Sequence, residues 1–138
     1  MSEHYVMDAC ALLAFLNAEQ GGDNVEALLR KANTPECTLY MHKLNVLEIY
    51  YGVFRDVSPE KAEETLNTIH SLPITIVDVL SDAVFKEAGR LKATYKISLA
   101  DAIALAEAKT RDVQLLTSDH HEFDSIDAQK DVKFYWIR

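Results

Sequence analysis

The sequence has only two cysteines among its 138 residues, Cys10 and Cys37. Two thiols make no disulfide framework, and neither has metal-finger spacing with the histidines. Cys10 reads as core filler at the start of a helix. No apolar run approaches the length of a membrane span. Met1-Ser2-Glu3-His4 brings no basic patch ahead of a long apolar stretch, so no secretory signal is read and the expected address is the cytoplasm. Positive charge is scarce too. Fourteen Lys and Arg face 22 Asp and Glu, a formal net charge of −8. Phosphate contacts favour a basic surface. A nucleic-acid partner would therefore need a local basic edge, a basic protein partner, or divalent metal to offset the charge.

Apolar residues make up 49% of the chain, enough for a packed core and against disorder. The length suits one domain over residues 1–138. Short apolar runs predict five strands, at Tyr5–Met7, Thr38–Met41, Ile74–Val77, Gln114–Leu116 and Lys133–Trp136. Helical patterning falls between them. A short helix is expected over Ala11–Asn17. Another starts from Asp23 as N-cap after the Gly21-Gly22 break and runs to Ala32. Further helices are expected over Lys43–Arg55, from Ser58-Pro59 to His70, from Ser81-Asp82 to Tyr95, and from Ser98 to Lys109. His120–Lys130 reads as a polar, mobile stretch with at most a short helix near Glu122. Strands alternating with helices imply a three-layer α/β fold, a mainly parallel sheet with helices on both faces.

Four carboxylates fall where polarity is unexpected. Asp8 ends the first strand, and Asp119 follows the fourth. Either could be a cap or turn residue. If the two strands are neighbours, their acids meet across one crevice at the carboxyl ends. Asp101 stands three residues after Ser98, which suits a capping box. Yet it opens a helix apolar on nearly every side, and a buried carboxylate needs a partner or a metal. Glu48 is mid-helix, in a thin polar stripe of Asn45, Glu48, Gly52 and Arg55. Pairing with Lys43, Arg55 or another helix is its structural alternative. Clustered carboxylates repel, raise one another's pKa or recruit a cation. An all-oxygen set suits Mg²⁺ or Mn²⁺ better than zinc. His120-His121 reads as an exposed loop pair, and Phe134, Tyr135 and Trp136 as core or subunit contact.

The segments Met7-Asp-Ala-Cys-Ala-Leu-Leu-Ala-Phe-Leu16, Asn45-Val-Leu-Glu-Ile-Tyr-Tyr-Gly52, Ser98-Leu-Ala-Asp-Ala-Ile-Ala-Leu-Ala106 and Leu115-Leu-Thr-Ser-Asp119 occur in this order over essentially the whole chain. Together they resemble the PIN-domain nucleases, most closely the VapC-type toxins of type II toxin–antitoxin pairs. The resemblance implies a PIN-like sheet of about five strands and a Mg²⁺- or Mn²⁺-dependent endoribonuclease. It implies Asp8, Glu48, Asp101 and Asp119 as catalytic residues, with Asp8, Asp101 and Asp119 as metal ligands. Thr117 or Ser118 would take the family's small hydroxyl position, and Asp124 a supporting one. It further implies an RNA substrate, a small antitoxin protein as partner, and a homodimer.

On that reading the reaction is metal-assisted phosphodiester hydrolysis, in-line, leaving a 5′-phosphate and a 3′-hydroxyl. Lys43, Arg55, Arg90, Lys92 and Lys96 are candidate phosphate contacts. Two rivals stand beside it. One is a phosphatase-like hydrolase with Asp8 as nucleophile, although Asp8-Ala9-Cys10 lacks a second aspartate two residues on. The other is a degenerate PIN domain that binds protein or RNA without cutting.

Overall fold

A computed structural model describes residues 2–138. Strand β1 covers Glu3–Met7, followed by helices α1 at Ala9–Leu16 and α2 at Gly22–Lys31. Then come β2 at Cys37–His42, α3 at Lys43–Asp56, α4 at Pro59–Ser71 and β3 at Thr75–Val77. Next are α5 at Asp82–Thr94, α6 at Leu99–Arg111, β4 at Gln114–Thr117, α7 at His120–Ala128 and β5 at Phe134–Trp136. The five strands form one sheet in the order β3-β2-β1-β4-β5, and every pairing is parallel. This is the expected three-layer α/β architecture. Among the described residues no helix is long and apolar enough to cross a membrane.

Each central strand is covered on both faces, so its residues alternate between two cores. Met7, Leu39, Met41 and Leu116 point to the layer of α1, α2, α3 and α4, packing with Leu12, Val25, Ile49 and Ile69. Val6 and Leu115 point the other way, onto Leu91, Ile103, Leu105, Phe123 and Ile126 of α5, α6 and α7. This double burial is why the strands read as apolar runs rather than as alternating ones.

Two expectations are corrected. Asp23 does not cap α2. The helix starts two residues earlier, with Gly21 as its N-cap, which holds a left-handed φ of +90°. A Cβ there would come within 2.6 Å of the Ile137 carbonyl oxygen, so both the turn and the close approach require glycine. The stretch after Asp119 is a nine-residue helix rather than an irregular segment. Asp119 accepts from the Glu122 N–H at 3.2 Å, and Phe123 and Ile126 are fully buried under it. With only two apolar positions the helix barely registers in the sequence pattern. His120 is accordingly no loop residue. Its ring stacks on Trp136 with centroids 3.8 Å apart, while its nitrogens meet Asp124 at 2.7 Å and the Arg138 carbonyl at 2.9 Å.

Candidate active site

The strand order reverses between β1 and β4. The first connection leads from β1 to β2 on one side, and the later one places β4 on the other. Crevices at the carboxyl ends of strands open at such switch points. Asp8 directly follows β1 and Asp119 lies two residues beyond β4, so the pairing of Met7 with Leu116 sets both acids at this end. Both loops turn at once into helices, and each acid caps the helix it precedes. The Asp8 carboxylate accepts from the Ala11 N–H at 2.9 Å. Thr117, fully buried at the end of β4, accepts from the Asp119 N–H at 3.1 Å, and its hydroxyl favours the ionised form of Asp8.

Asp101 and Glu48 come to the same place from helices. Ser98 caps α6 by accepting from the Asp101 N–H at 3.1 Å, which realises the capping geometry of the sequence pattern. Glu48 sits mid-α3, half-buried. Among the described residues it forms no ion pair, and Arg55 turns to Asp56 at 2.8 Å. A cavity of about 380 Å³ is lined by Asp8, Ala9, Cys10, Leu13, Glu48, Ser98, Asp101, Asp119 and Glu122. All four candidate acids are present, and no lysine or arginine is among the lining residues.

Electrostatics follow from this crowding. Burial pushes the Asp8 carboxyl up to about 7; Thr117 and the Ala11 N–H pull against it, and Asp101 and Asp119 add to it. Asp101 is pushed up to about 6, again chiefly by burial, opposed by Ser98 and reinforced by Glu48, Asp119 and Glu122. Glu48 is raised by burial and by Asp119. The Cys10 thiol rises to about 12 through burial and all four acids. It is only part-buried and lines the cavity, so the core-filler reading is corrected. The reason is its place one residue into α1, on the side turned to the strand ends.

Among the described residues no three His, Cys, Asp or Glu side chains are drawn close enough to hold a metal ion as they stand. The donor chemistry nonetheless fits one. The acids offer hard oxygen ligands, they face one cavity, and their mutual repulsion is the penalty that a divalent cation removes.

A family profile described as PIN domain matches residues 5–129. The chain belongs to the PIN-domain family. Solved structures with similar folds include the DNA-bound VapBC from Salmonella typhimurium, at 14% identity, full coverage of both chains and a TM-score of 0.74. A toxin–antitoxin complex from Klebsiella pneumoniae is 20% identical over 88% of this chain and 92% of its own, with a TM-score of 0.62. VapC20 of Mycobacterium tuberculosis, a sarcin–ricin loop cleaving toxin, is 13% identical over 88% of this chain and 94% of its own, with a TM-score of 0.65. The comparison with curated protein sequences finds no match.

Within this PIN domain, the supporting residues divide. Thr117 accepts from the Asp119 N–H, whereas Ser118 and Asp124 are not among the cavity-lining residues, and Asp124 is committed to His120. Of the candidate phosphate contacts, Arg90 is held by Glu87 and Asp131, and Lys92 donates to the Ile97 carbonyl. Lys43 lines a separate groove with Glu63 and Asp78. Arg55, with Lys61, lines a groove of about 630 Å³ that shares Leu13 and Glu48 with the acid cavity. Sequence reasoning missed Glu122 in the cavity. The signal was there, since Asp119-His-His-Glu122 is an N-cap followed by an acid three residues on.

Proposed function

We propose that this PIN domain is a metal-dependent endoribonuclease and the toxin of a toxin–antitoxin pair. The observation that carries the reading is the gathering of Asp8, Glu48, Asp101 and Asp119 around one cavity without a balancing lysine or arginine. Acids kept only for stability would be paired. Asp8, Asp101 and Asp119 would hold Mg²⁺ or Mn²⁺. When bound, the cation supplies Lewis-acid stabilisation of phosphoryl oxygens and eases deprotonation of water. Glu48 stands half-exposed with its pKa raised by burial and Asp119, suited to orient the attacking water and accept its proton at a carboxylate oxygen. Thr117 holds the turn into Asp119 by accepting its N–H. Asp8 is a poor nucleophile for a phosphatase, being 3% exposed and spent on capping α1.

A protein partner is supported by the surface of α3, where Leu47, Tyr51 and Phe54 are about half exposed at helical spacing along one face. An antitoxin and a second copy of this chain are the partners proposed, and RNA is the proposed substrate. The relatives' toxin and toxin–antitoxin descriptions favour this assignment over a silent binding module.

The test is cleavage of total cellular RNA by purified protein in Mg²⁺, Mn²⁺ or excess chelator, beside an Asp8→Asn variant. Discrete fragments with 5′-phosphate ends, requiring metal and lost in the variant, are expected. Equal cutting by the variant after removal of contaminating nuclease would overturn the assignment.

A further inference from the structure

Asn45 belongs to the polar stripe of α3, one turn before Glu48, and no catalytic role draws on it. It is fully buried. Burying a primary amide is costly unless its hydrogen bonds are made. Its Nδ2 donates to the Ala100 carbonyl at 3.1 Å, reaching from α3 across to the first turn of α6. Its Oδ1 has no hydrogen-bond partner among the described residues. An apolar residue would fill this site without that penalty, so the amide's value lies in what its donor end holds.

Ala100 is the residue before Asp101, and Asn45 and Glu48 are three apart on one helix, hence neighbours on one face. The same amide also acts on the Glu48 carboxylate, lowering its pKa against the larger upward effects of burial and Asp119. One side chain on the helix that carries Glu48 therefore holds the backbone next to Asp101. The opposite orientation of the amide would set its oxygen against the Ala100 carbonyl oxygen, which fixes the way it points. Glu48 and Asp101 share no strand and no loop, and they approach the cavity from separate helices. Something must fix that separation, and α3 and α6 meet directly at Asn45.

We infer that Asn45 is a positioning residue, whose amide locks α3 to the start of α6 and so sets Glu48 against Asp101 in the acid cavity. The inference rests on the metal-centre reading and deepens it. Residues that orient the ligands of a metal are worth roughly 10–100-fold in affinity.

The experiment measures Mn²⁺ affinity by calorimetry for the parent, Asn45→Ala, Asp101→Asn and the double variant, with the thermal midpoint of each metal-free protein. Asn45→Ser, which keeps a donor and a smaller side chain, runs alongside in case the alanine variant does not fold. A positioning role predicts that Asn45→Ala weakens Mn²⁺ binding by about tenfold or more. Asn45→Ser should recover part of the loss. In the Asp101→Asn background the alanine change should then cost less than about threefold, because coupled residues are not additive. Undiminished Mn²⁺ affinity in folded Asn45→Ala, or the same fold-loss in both backgrounds, would overturn the inference while leaving the metal centre standing. A parent chain that takes up no Mn²⁺ would overturn the metal-centre reading and this inference with it.

Discussion

Asp8 and Asp131 are both aspartates with little exposure at junctions between strands and helices, and their surroundings drive them in opposite directions. Asp131, with 13% of its side chain exposed, accepts two hydrogen bonds from Arg90 at 2.7 and 3.1 Å and one from Tyr95 at 2.9 Å. Lys109 reaches the same carboxylate at 3.2 Å. Arg90, Tyr95 and Lys109 hold its carboxyl down at about 2. Asp8 meets one hydroxyl, one backbone N–H and two further acids, and rises to about 7. The first pattern joins α5 and α6 to the segment before β5, and it accounts for itself as structure. The second is electrostatically incomplete. Within one small fold, an acid with its cations beside it marks a joint, and acids without them mark a place where a cation is to be supplied.

The largest effect should come from removing charge at the incomplete site. Asp8→Asn is expected to lower metal-dependent RNA cleavage by at least about 100-fold, the low end for a lost catalytic group. Stability should move the other way. Between pH 3.8 and about 7 the folded chain keeps a proton on Asp8 that the unfolded chain has lost. Metal-free stability therefore falls as pH rises through that window. The gap corresponds to at most on the order of 4 kcal/mol. The asparagine variant lacks that loss, so chemical denaturation at pH 8 without metal should find it more stable than the parent. Added Mn²⁺ should stabilise the parent and not the variant. A parent whose stability is flat from pH 4 to 8 would erase the contrast with Asp131.

Asp131→Asn tests the complete site. Its depressed carboxyl stabilises the fold above pH 3.8, and that contribution is lost as pH falls towards about 2. Arg90 and Lys109 are each 43% exposed, so screening trims the value to about 1–2 kcal/mol. The variant should lose that amount at pH 7 by urea denaturation and be indifferent to Mn²⁺. RNA cleavage should stay at the parent's level. A loss of Mn²⁺ affinity instead would show that the joint and the cavity are coupled.

How much of this was legible in the sequence depends on how each residue is held. β1, α3 and α6 stood out because burial on several sides forces long apolar stretches, against which Asp8, Glu48 and Asp101 are conspicuous. Ser58, Ser81 and Ser98 gave away helix starts because a capping hydroxyl is a local requirement. The neighbour relation of β1 and β4, which makes Asp8 and Asp119 one site, is a long-range fact that no window of sequence contains. α7 escaped because two buried residues, Phe123 and Ile126, suffice to dock it. Glu122 and Cys10 escaped with it, since their roles follow from where a helix begins rather than from their own chemistry. The break at Gly21-Gly22 was legible, but the α2 cap was placed two residues too late because the decisive constraint is the Ile137 carbonyl, far away in the chain.

The smallest expected effect separates two serines doing the same local work in the two kinds of setting. Ser81 accepts from the Val84 N–H at 3.2 Å at the start of α5, and Ser98 from the Asp101 N–H at 3.1 Å at the start of α6. Replacing either by alanine removes one helix cap and should cost about 1 kcal/mol of stability. Only Ser98 lines the acid cavity, and its hydroxyl opposes the burial that raises the Asp101 carboxyl to about 6. Ser98→Ala should therefore also raise the Asp101 pKa further and weaken Mn²⁺ binding a few-fold near pH 6, the loss fading towards pH 8 as Asp101 ionises in both proteins. Ser81→Ala should match it in urea and leave Mn²⁺ binding untouched. If the two variants share one Mn²⁺ affinity at pH 6, Ser98 is a helix cap and nothing more, and the cavity's electrostatics stop at its carboxylates.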